Sequence, residues 1–198
     1  MKKLVISVGL MIGIGFTQVN AQNLSFGIKA DANMSNFILT DIPGGKSEMK
    51  IGASLGGFVK YDVAEKFAIQ PELLVHFKSS DSKDEGVKNN FEYWGLEIPV
   101  YAVGQWNAGS GRLYAGIGPY VGLGLSAKYT KGDIDLYDTE AMQRLDFGGG
   151  AMVGCELGNG IQINAGYKIG LINAIHKDIP GDAVMLPQMV SLGVGFRF

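Results

Sequence analysis

Apolar and polar residues alternate along most of this 198-residue chain. In the segment 111–128 the odd positions are mainly aliphatic, whereas the even positions hold mostly glycine, tyrosine or charge. A repeat of two residues is typical of a β-strand with one apolar face. The same repeat recurs and predicts eight strands, at residues 24–37, 51–62, 66–78, 90–106, 111–128, 143–157, 161–174 and 187–198.

The connections between these predicted strands alternate between long and short. The long ones are polar or contain Pro and Gly, and they occupy residues 38–50, 79–89, 129–142 and 175–186. The short ones contain turn residues and occupy residues 62–66, 107–110 and 158–160. Strict alternation places all long loops at one end of the molecule. We therefore predict an all-β fold, an eight-stranded antiparallel up-and-down β-barrel.

Glycine accounts for 30 of the 198 residues and shares the charged face of the strands. An eight-stranded barrel has an interior barely wide enough for its own side chains. Glycine beside arginine, lysine and tyrosine would supply the room that these side chains need, so we predict that the charged face fills the lumen. The predicted lumen charge network consists of Lys29, Asp31, Lys60, Glu72, His76, Glu97, Arg112, Lys128, Arg144, Asp146, Glu156, Lys168 and Arg197.

The lengths of the strands and their aromatic residues predict that the apolar face contacts lipid. Most of the predicted strands have 12 to 18 residues, whereas a membrane-spanning strand needs about 9–11. Trp94 and Trp106 lie 12 residues apart on one apolar face, which corresponds to about 30 Å of height on a tilted strand. The predicted fold is thus an all-β, eight-stranded antiparallel up-and-down transmembrane β-barrel. Its predicted membrane girdle consists of Phe26, Tyr61, Phe67, Trp94, Trp106, Phe196 and Phe198.

The first 21 residues have the three parts of a secretory signal peptide. Two lysines form a basic start, an apolar stretch follows at 4–16, and small residues precede the Ala21–Gln22 bond. We predict cleavage at this bond, so that residues 1–21 are the signal peptide and residues 22–198 are the barrel domain. Export and lipid-facing strands together predict that the protein resides in the bacterial outer membrane.

The end of the chain, VSLGVGFRF, is an alternating strand that stops at Phe198. It is similar to the C-terminal signal by which bacterial outer-membrane barrels are recognised. Together with the segments Leu-Glu-Ile-Pro-Val at 96–100 and Gly-Pro-Tyr at 118–120, it makes the mature chain resemble small outer-membrane β-barrels of the PorT-like, Bacteroidetes type. The resemblance implies outer-membrane lipid and the barrel assembly machinery as partners, the latter through the strand ending in Phe198.

Charge and candidate chemistry narrow the functional classes. The formal net charge of −2 gives no reason to expect a nucleic-acid partner. The single cysteine, Cys155, excludes an internal disulfide and a zinc site built on cysteines.

The acidic segment 131–140 lacks the ordered spacing of an EF-hand loop. We interpret it as a solvated loop, with a loose calcium site as the alternative. No metal site and no cofactor are predicted.

The chain has two histidines, and one of them, His76, is the candidate base of a lipid hydrolase. His76 lies near Glu72, Ser79 and Ser80 in sequence, which are the residue types of a lipid hydrolase. Such a site should face lipid, whereas the alternation turns His76 into the lumen. We therefore predict no catalytic residues and interpret His76 as part of a luminal hydrogen-bond network.

The near balance of luminal cations and acids predicts ion pairs that plug the barrel, because buried charges must be paired or hydrated. The leading interpretation is a non-enzymatic structural or interaction protein of the envelope or of secretion, with a possible protein partner at its long loops. A narrow porin-like passive channel, an outer-membrane lipid-modifying enzyme and a soluble lipocalin-like binder are the alternatives.

Overall fold

The computed structural model describes residues 23–40, 50–84, 87–129, 134 and 135, 143–172 and 184–198. The signal peptide predicted at residues 1–21, its cleavage site at Ala21 and Gln22, and most of the acidic segment 131–140 lie outside the described residues. The strands are β1 Leu24–Thr40, β2 Lys50–Ala64, β3 Phe67–Asp84, β4 Val87–Ala108, β5 Gly111–Tyr129, β6 Ile134–Asp135, β7 Leu145–Glu156, β8 Ile161–Gly170 and β9 Val184–Arg197.

Eight of these strands close into a barrel. Each pairs antiparallel with its neighbours in the chain, and β1 pairs with β9 to join the two ends of the sheet. The two-residue strand β6 pairs only with the end of β5, so β5 and β7 are neighbours in the closed circuit. The eight-stranded antiparallel barrel predicted from the alternation is therefore confirmed.

The register sorts the side chains into an apolar outer wall and a polar lumen. Ala30 on β1 faces Leu55 on β2 and Val194 on β9, so outward residues form continuous rows. The outward aliphatic side chains are exposed, with Ile117 at 68% and Leu192 at 66%. Lys60, in contrast, is only 2% exposed. The wall is thus apolar and the lumen carries the charge, as the pattern of glycine and charge predicted.

Glycine makes room in the lumen for aromatic rings. Tyr114 on β5 faces Gly154 on β7, and Tyr120 faces Gly148 on the same pair of strands. A Cβ atom at Gly154 would lie 2.5 Å from the Tyr114 ring, and one at Gly148 would lie 2.6 Å from the Tyr120 ring. Real Cβ atoms essentially never come so close to a ring. These glycines therefore let the tyrosines lie flat across the neighbouring strand.

The short turns at one end are tightly made. Gly109 and Gly160 have positive φ angles of 61° and 87°, which glycine adopts without strain. The amide of Arg197 donates to the carbonyl of Gly160 at 2.9 Å, and that of Phe198 donates to Phe26 at 2.8 Å. These bonds fix the C-terminal end of β9 between the two strands that flank it.

The opposite end differs from the sequence prediction at residues 79–89, which were expected to be a loop. Strands β3 and β4 continue there as a hairpin, with paired residues from Ser79 and Glu92 to Asp84 and Val87. Beyond the membrane a strand needs no apolar face, so alternation does not signal it. The register already set by the residues below extends the pairing. Strand β8 ends at Gly170, four residues before its predicted end.

We expect Gly154→Ala to destabilise the barrel by about 1–3 kcal/mol, because the methyl group would overlap the Tyr114 ring and the neighbouring carbonyl of Ile163. The matched control is Gly149→Ala, since a Cβ atom there meets nothing within 4 Å. Urea unfolding of the refolded barrel, followed by tryptophan fluorescence, measures both. Equal stability of the two variants would contradict the packing role of Gly154.

Candidate functional site

The lumen holds a buried ion pair between β1 and β3, two strands that only β2 separates in the sheet. The Lys29 ammonium on β1 donates to Oε2 of Glu72 on β3 at 3.2 Å, and Gln70 donates to Oε1 of the same carboxylate at 2.8 Å. The Glu72 side chain is completely shielded from solvent. Both of its oxygens are therefore satisfied, which buried carboxylates require.

A second group of charges links β8 to β3 and β4. The Lys168 ammonium donates to Oε1 of Glu97, although the two residues lie 71 positions apart in the chain. Nε2 of His76 lies 3.4 Å from the other oxygen of Glu97. All three side chains are buried. Because β8 and β4 are not neighbours in the sheet, this pair bridges the lumen from wall to wall.

A third group lies near the end that carries the short turns. Arg197 donates from Nε and Nη2 to the two oxygens of Glu156, at 3.0 and 2.6 Å. Gln162 donates to the same carboxylate at 2.8 Å. A guanidinium that holds a carboxylate with two parallel bonds is among the strongest ion-pair geometries. This group connects β7, β8 and β9 at the end of the barrel that carries the short turns.

Smaller polar contacts and rings occupy the space between these groups. The Ser54 hydroxyl donates to Asp31 at 3.1 Å, and Tyr120 donates to Asp146 at 2.9 Å. Lys60 lies 5.9 Å from the centre of the Tyr114 ring. The buried apolar cluster in the same lumen consists of Ala68, Tyr101, Val103, Tyr114 and Met152. Side chains, paired or packed, thus fill the interior.

Not every predicted member of the lumen charge network belongs to these buried groups. Arg112 and Asp146 are half-buried, whereas Lys128 and Arg144 are exposed. The Arg144 guanidinium donates to the carbonyl of Leu125 at 3.4 Å. Lys128 stands near the last residue of β5, and Arg144 precedes β7. At these ends the lumen opens, so a residue on the inward side is no longer enclosed.

Sequence reasoning missed the uncharged polar residues of the lumen. Gln70 and Gln162 orient carboxylates in the groups described above, and Gln105 donates to Asp62 at 2.8 Å. These glutamines are 2–4% exposed. The alternation that assigned the charges to the lumen applies equally to them. A search restricted to formal charge could not find them.

The predicted girdle residues lie on the outer wall. Six of the seven are 40–71% exposed, namely Phe26, Phe67, Trp94, Trp106, Phe196 and Phe198. Tyr61 is half-buried. Trp94 packs on Phe77 with ring centres 4.8 Å apart. Exposed apolar surface on this scale marks a protein that contacts lipid rather than water.

The described residues give no support to a lipid-hydrolase site at His76. His76 is 4% exposed and points at Glu97 inside the lumen, not at the outer wall. The side chains of Ser79 and Ser80 lie outside the described part. Within the described residues, no group of three potential metal-ligating side chains was found, and no helix is long and apolar enough to cross a membrane.

The sequence matches a known protein family, and the fold is similar to that of solved structures. The model of the outer membrane protein beta-barrel domain matches residues 6–176. Neisserial surface protein A has a TM-score of 0.54 at 14% identity, over 87% of this chain and 97% of that one. Ail of Yersinia pestis, solved with the heparin analogue sucrose octasulfate, scores 0.49 at 14% identity, over 88% and 97%. OprG from Pseudomonas aeruginosa scores 0.48 at 12% identity, over 88% and 96%. No curated protein sequence matches significantly.

We expect Glu97→Gln to destabilise the barrel by about 3–5 kcal/mol, because it leaves the buried Lys168 ammonium without its counter-charge. The double variant Glu97→Gln, Lys168→Met removes both charges and should recover part of the loss. Arg144→Gln, at an exposed position, serves as the control with a change below about 0.5 kcal/mol. Urea unfolding of the three variants measures these differences. A Glu97→Gln barrel as stable as the control would show that the pair is not buried.

Proposed function

Because this chain belongs to the family of outer membrane protein beta-barrel domains, we propose that it is a sealed, non-enzymatic scaffold of the bacterial outer membrane. It would act as a structural or interaction protein through the loops at one end of the barrel. The observation that carries this proposal is the set of ion pairs inside the lumen, Lys29 with Glu72, Lys168 with Glu97 and Arg197 with Glu156.

The buried position of these ion pairs supports a sealed lumen. Two of them, Lys29 with Glu72 and Lys168 with Glu97, are almost wholly buried in the lumen, so an ion that crosses the barrel would have to displace them. Lys29, Glu72 and Lys168 are 3–9% exposed, and each carboxylate has more than one partner. Removing one partner of a buried pair costs several kcal/mol. Such pairs resist opening and favour a plug over a passive channel.

The interaction role rests on topology. In a closed antiparallel barrel, the connections that follow β1, β3, β5 and β8 all leave from the same end. The connections that follow β1, β5 and β8 hold long polar segments of the sequence, and outer-membrane barrels carry their longer loops on the cell surface. Recognition residues are concentrated on loops that a rigid scaffold positions. We therefore assign partner recognition to this end.

Three further parts of the proposal come from the sequence. Export would use residues 1–21 as a cleaved signal peptide, and insertion would use the terminal strand that ends at Phe198. The PorT-like resemblance favours a role in secretion or envelope biogenesis.

The absence of an enzymatic role is supported by the inward direction of His76, because a lipid substrate would reach the outer wall instead.

Single-channel recording in planar bilayers tests the sealed state. Wild-type protein should give no discrete open-channel currents in molar potassium chloride. A variant with serine in place of Lys29, Glu72, Glu97 and Lys168 should conduct, because it lacks both of the almost wholly buried pairs. A shift in gel mobility on boiling would verify that this variant is folded. Reproducible currents from the wild type would contradict the proposal and favour a narrow passive channel, whatever the variant does.

A further inference from the structure

A polar cavity of about 400 Å³ opens at the end of the barrel that carries the short turns. It lies between the β2–β3 and β4–β5 turns, next to the start of β1. In outer-membrane barrels the short turns face the periplasm, so this cavity opens towards the cell wall. Its polar lining consists of Asn23, Asp62, Glu65, Gln105, Asn107 and Arg112.

A single buried amide organises the floor of this cavity. Gln105 is 2% exposed, and its Nε2 donates to Oδ1 of Asp62 at 2.8 Å and to the carbonyl of Glu65 at 3.1 Å. Its Oε1 accepts from Nη1 of Arg112 at 3.5 Å. The amide therefore holds the Asp62 carboxylate at its nitrogen and the Arg112 guanidinium at its oxygen. A buried glutamine with both ends occupied is a fixed element and not a mobile surface side chain.

The charges around this amide retain capacity for a ligand. One oxygen of Asp62 binds Gln105, and a carboxylate can accept further hydrogen bonds at the other oxygen. The bond from Arg112 to Gln105 is long for N–H···O, and a guanidinium has five donors. Both charged side chains are half-buried, and Glu65 is exposed at the rim. A carboxylate and a guanidinium thus line the same cavity, which water and small solutes can enter.

We propose that this cavity binds a small zwitterion of the amino-acid class, in which an ammonium and a carboxylate are neighbours. The ammonium would contact Asp62, with Glu65 at the entrance, and the carboxylate would contact Arg112. Asn23 and Asn107 supply amides for the remaining polar atoms. A neutral sugar or a simple anion would use only part of this set. On the periplasmic side, such zwitterions occur as free amino acids and as the peptides of the cell wall.

Calorimetric titration of the detergent-solubilised full barrel with diaminopimelic acid tests the proposal. This probe carries two neighbouring ammonium and carboxylate pairs and is a component of cell-wall peptides. We expect saturable binding that Asp62→Asn and Arg112→Gln each weaken about tenfold or more, the usual cost of losing a charged hydrogen bond. Arg144→Gln, at the opposite end of the barrel, should bind as the wild type does.

Comparison of probes separates the possible ligands. Alanine and lysine test for free amino acids, and a cell-wall tripeptide tests for the peptide source; tighter binding of either group identifies the source. Acetate alone and methylamine alone should bind much more weakly than the zwitterions. Acetate binding equal to diaminopimelic acid would reduce the cavity to an anion site and overturn the proposal. So would the absence of binding to wild-type protein that shows the gel shift of a folded barrel.

Discussion

The width of an eight-stranded barrel is the constraint on which the rest of this structure depends. Such a barrel is only as wide as the side chains that point into it. A charged residue in the lumen must therefore find its partner there, as Lys168 does with Glu97. A ring in the lumen must lie against a residue without a side chain, as Tyr114 does against Gly154. The glycines and the ion pairs are two solutions to one problem of space.

The outer wall follows from the same arrangement. Once the polar face is enclosed, the apolar face is on the outside, and only lipid can cover it at this length of strand. Polar groups on the wall are then satisfied locally, as in the bond from Tyr167 to Gln188 at 2.9 Å. The two ends of the barrel are left as the places where the protein can meet soluble partners. One end carries long polar loops, and the other carries the cavity around Gln105.

The sequence predicts the strands, the closure and the two faces, because alternation repeats every two residues and is read locally. It assigns Lys29 and Glu72 to the lumen by the same rule. It does not reveal that Lys168 meets Glu97, since that depends on the shear of the closed sheet. The exposure of Lys128 and Arg144 depends on where the lumen opens. The hairpin beyond Ser79 has no apolar face, so its pairing leaves no trace in the alternation.

The central claim is that the apolar face contacts lipid while the charged face fills the lumen. The chain has two tryptophans, Trp94 and Trp106, and both lie on the apolar face. Fluorescence quenching of the variants Trp94→Phe and Trp106→Phe, reconstituted in vesicles of brominated lipid, tests this claim most directly. The account predicts strong quenching of the remaining tryptophan by bromine near the headgroups in both variants. Quenching by aqueous acrylamide with none by brominated lipid would show that the barrel does not sit in the bilayer as described.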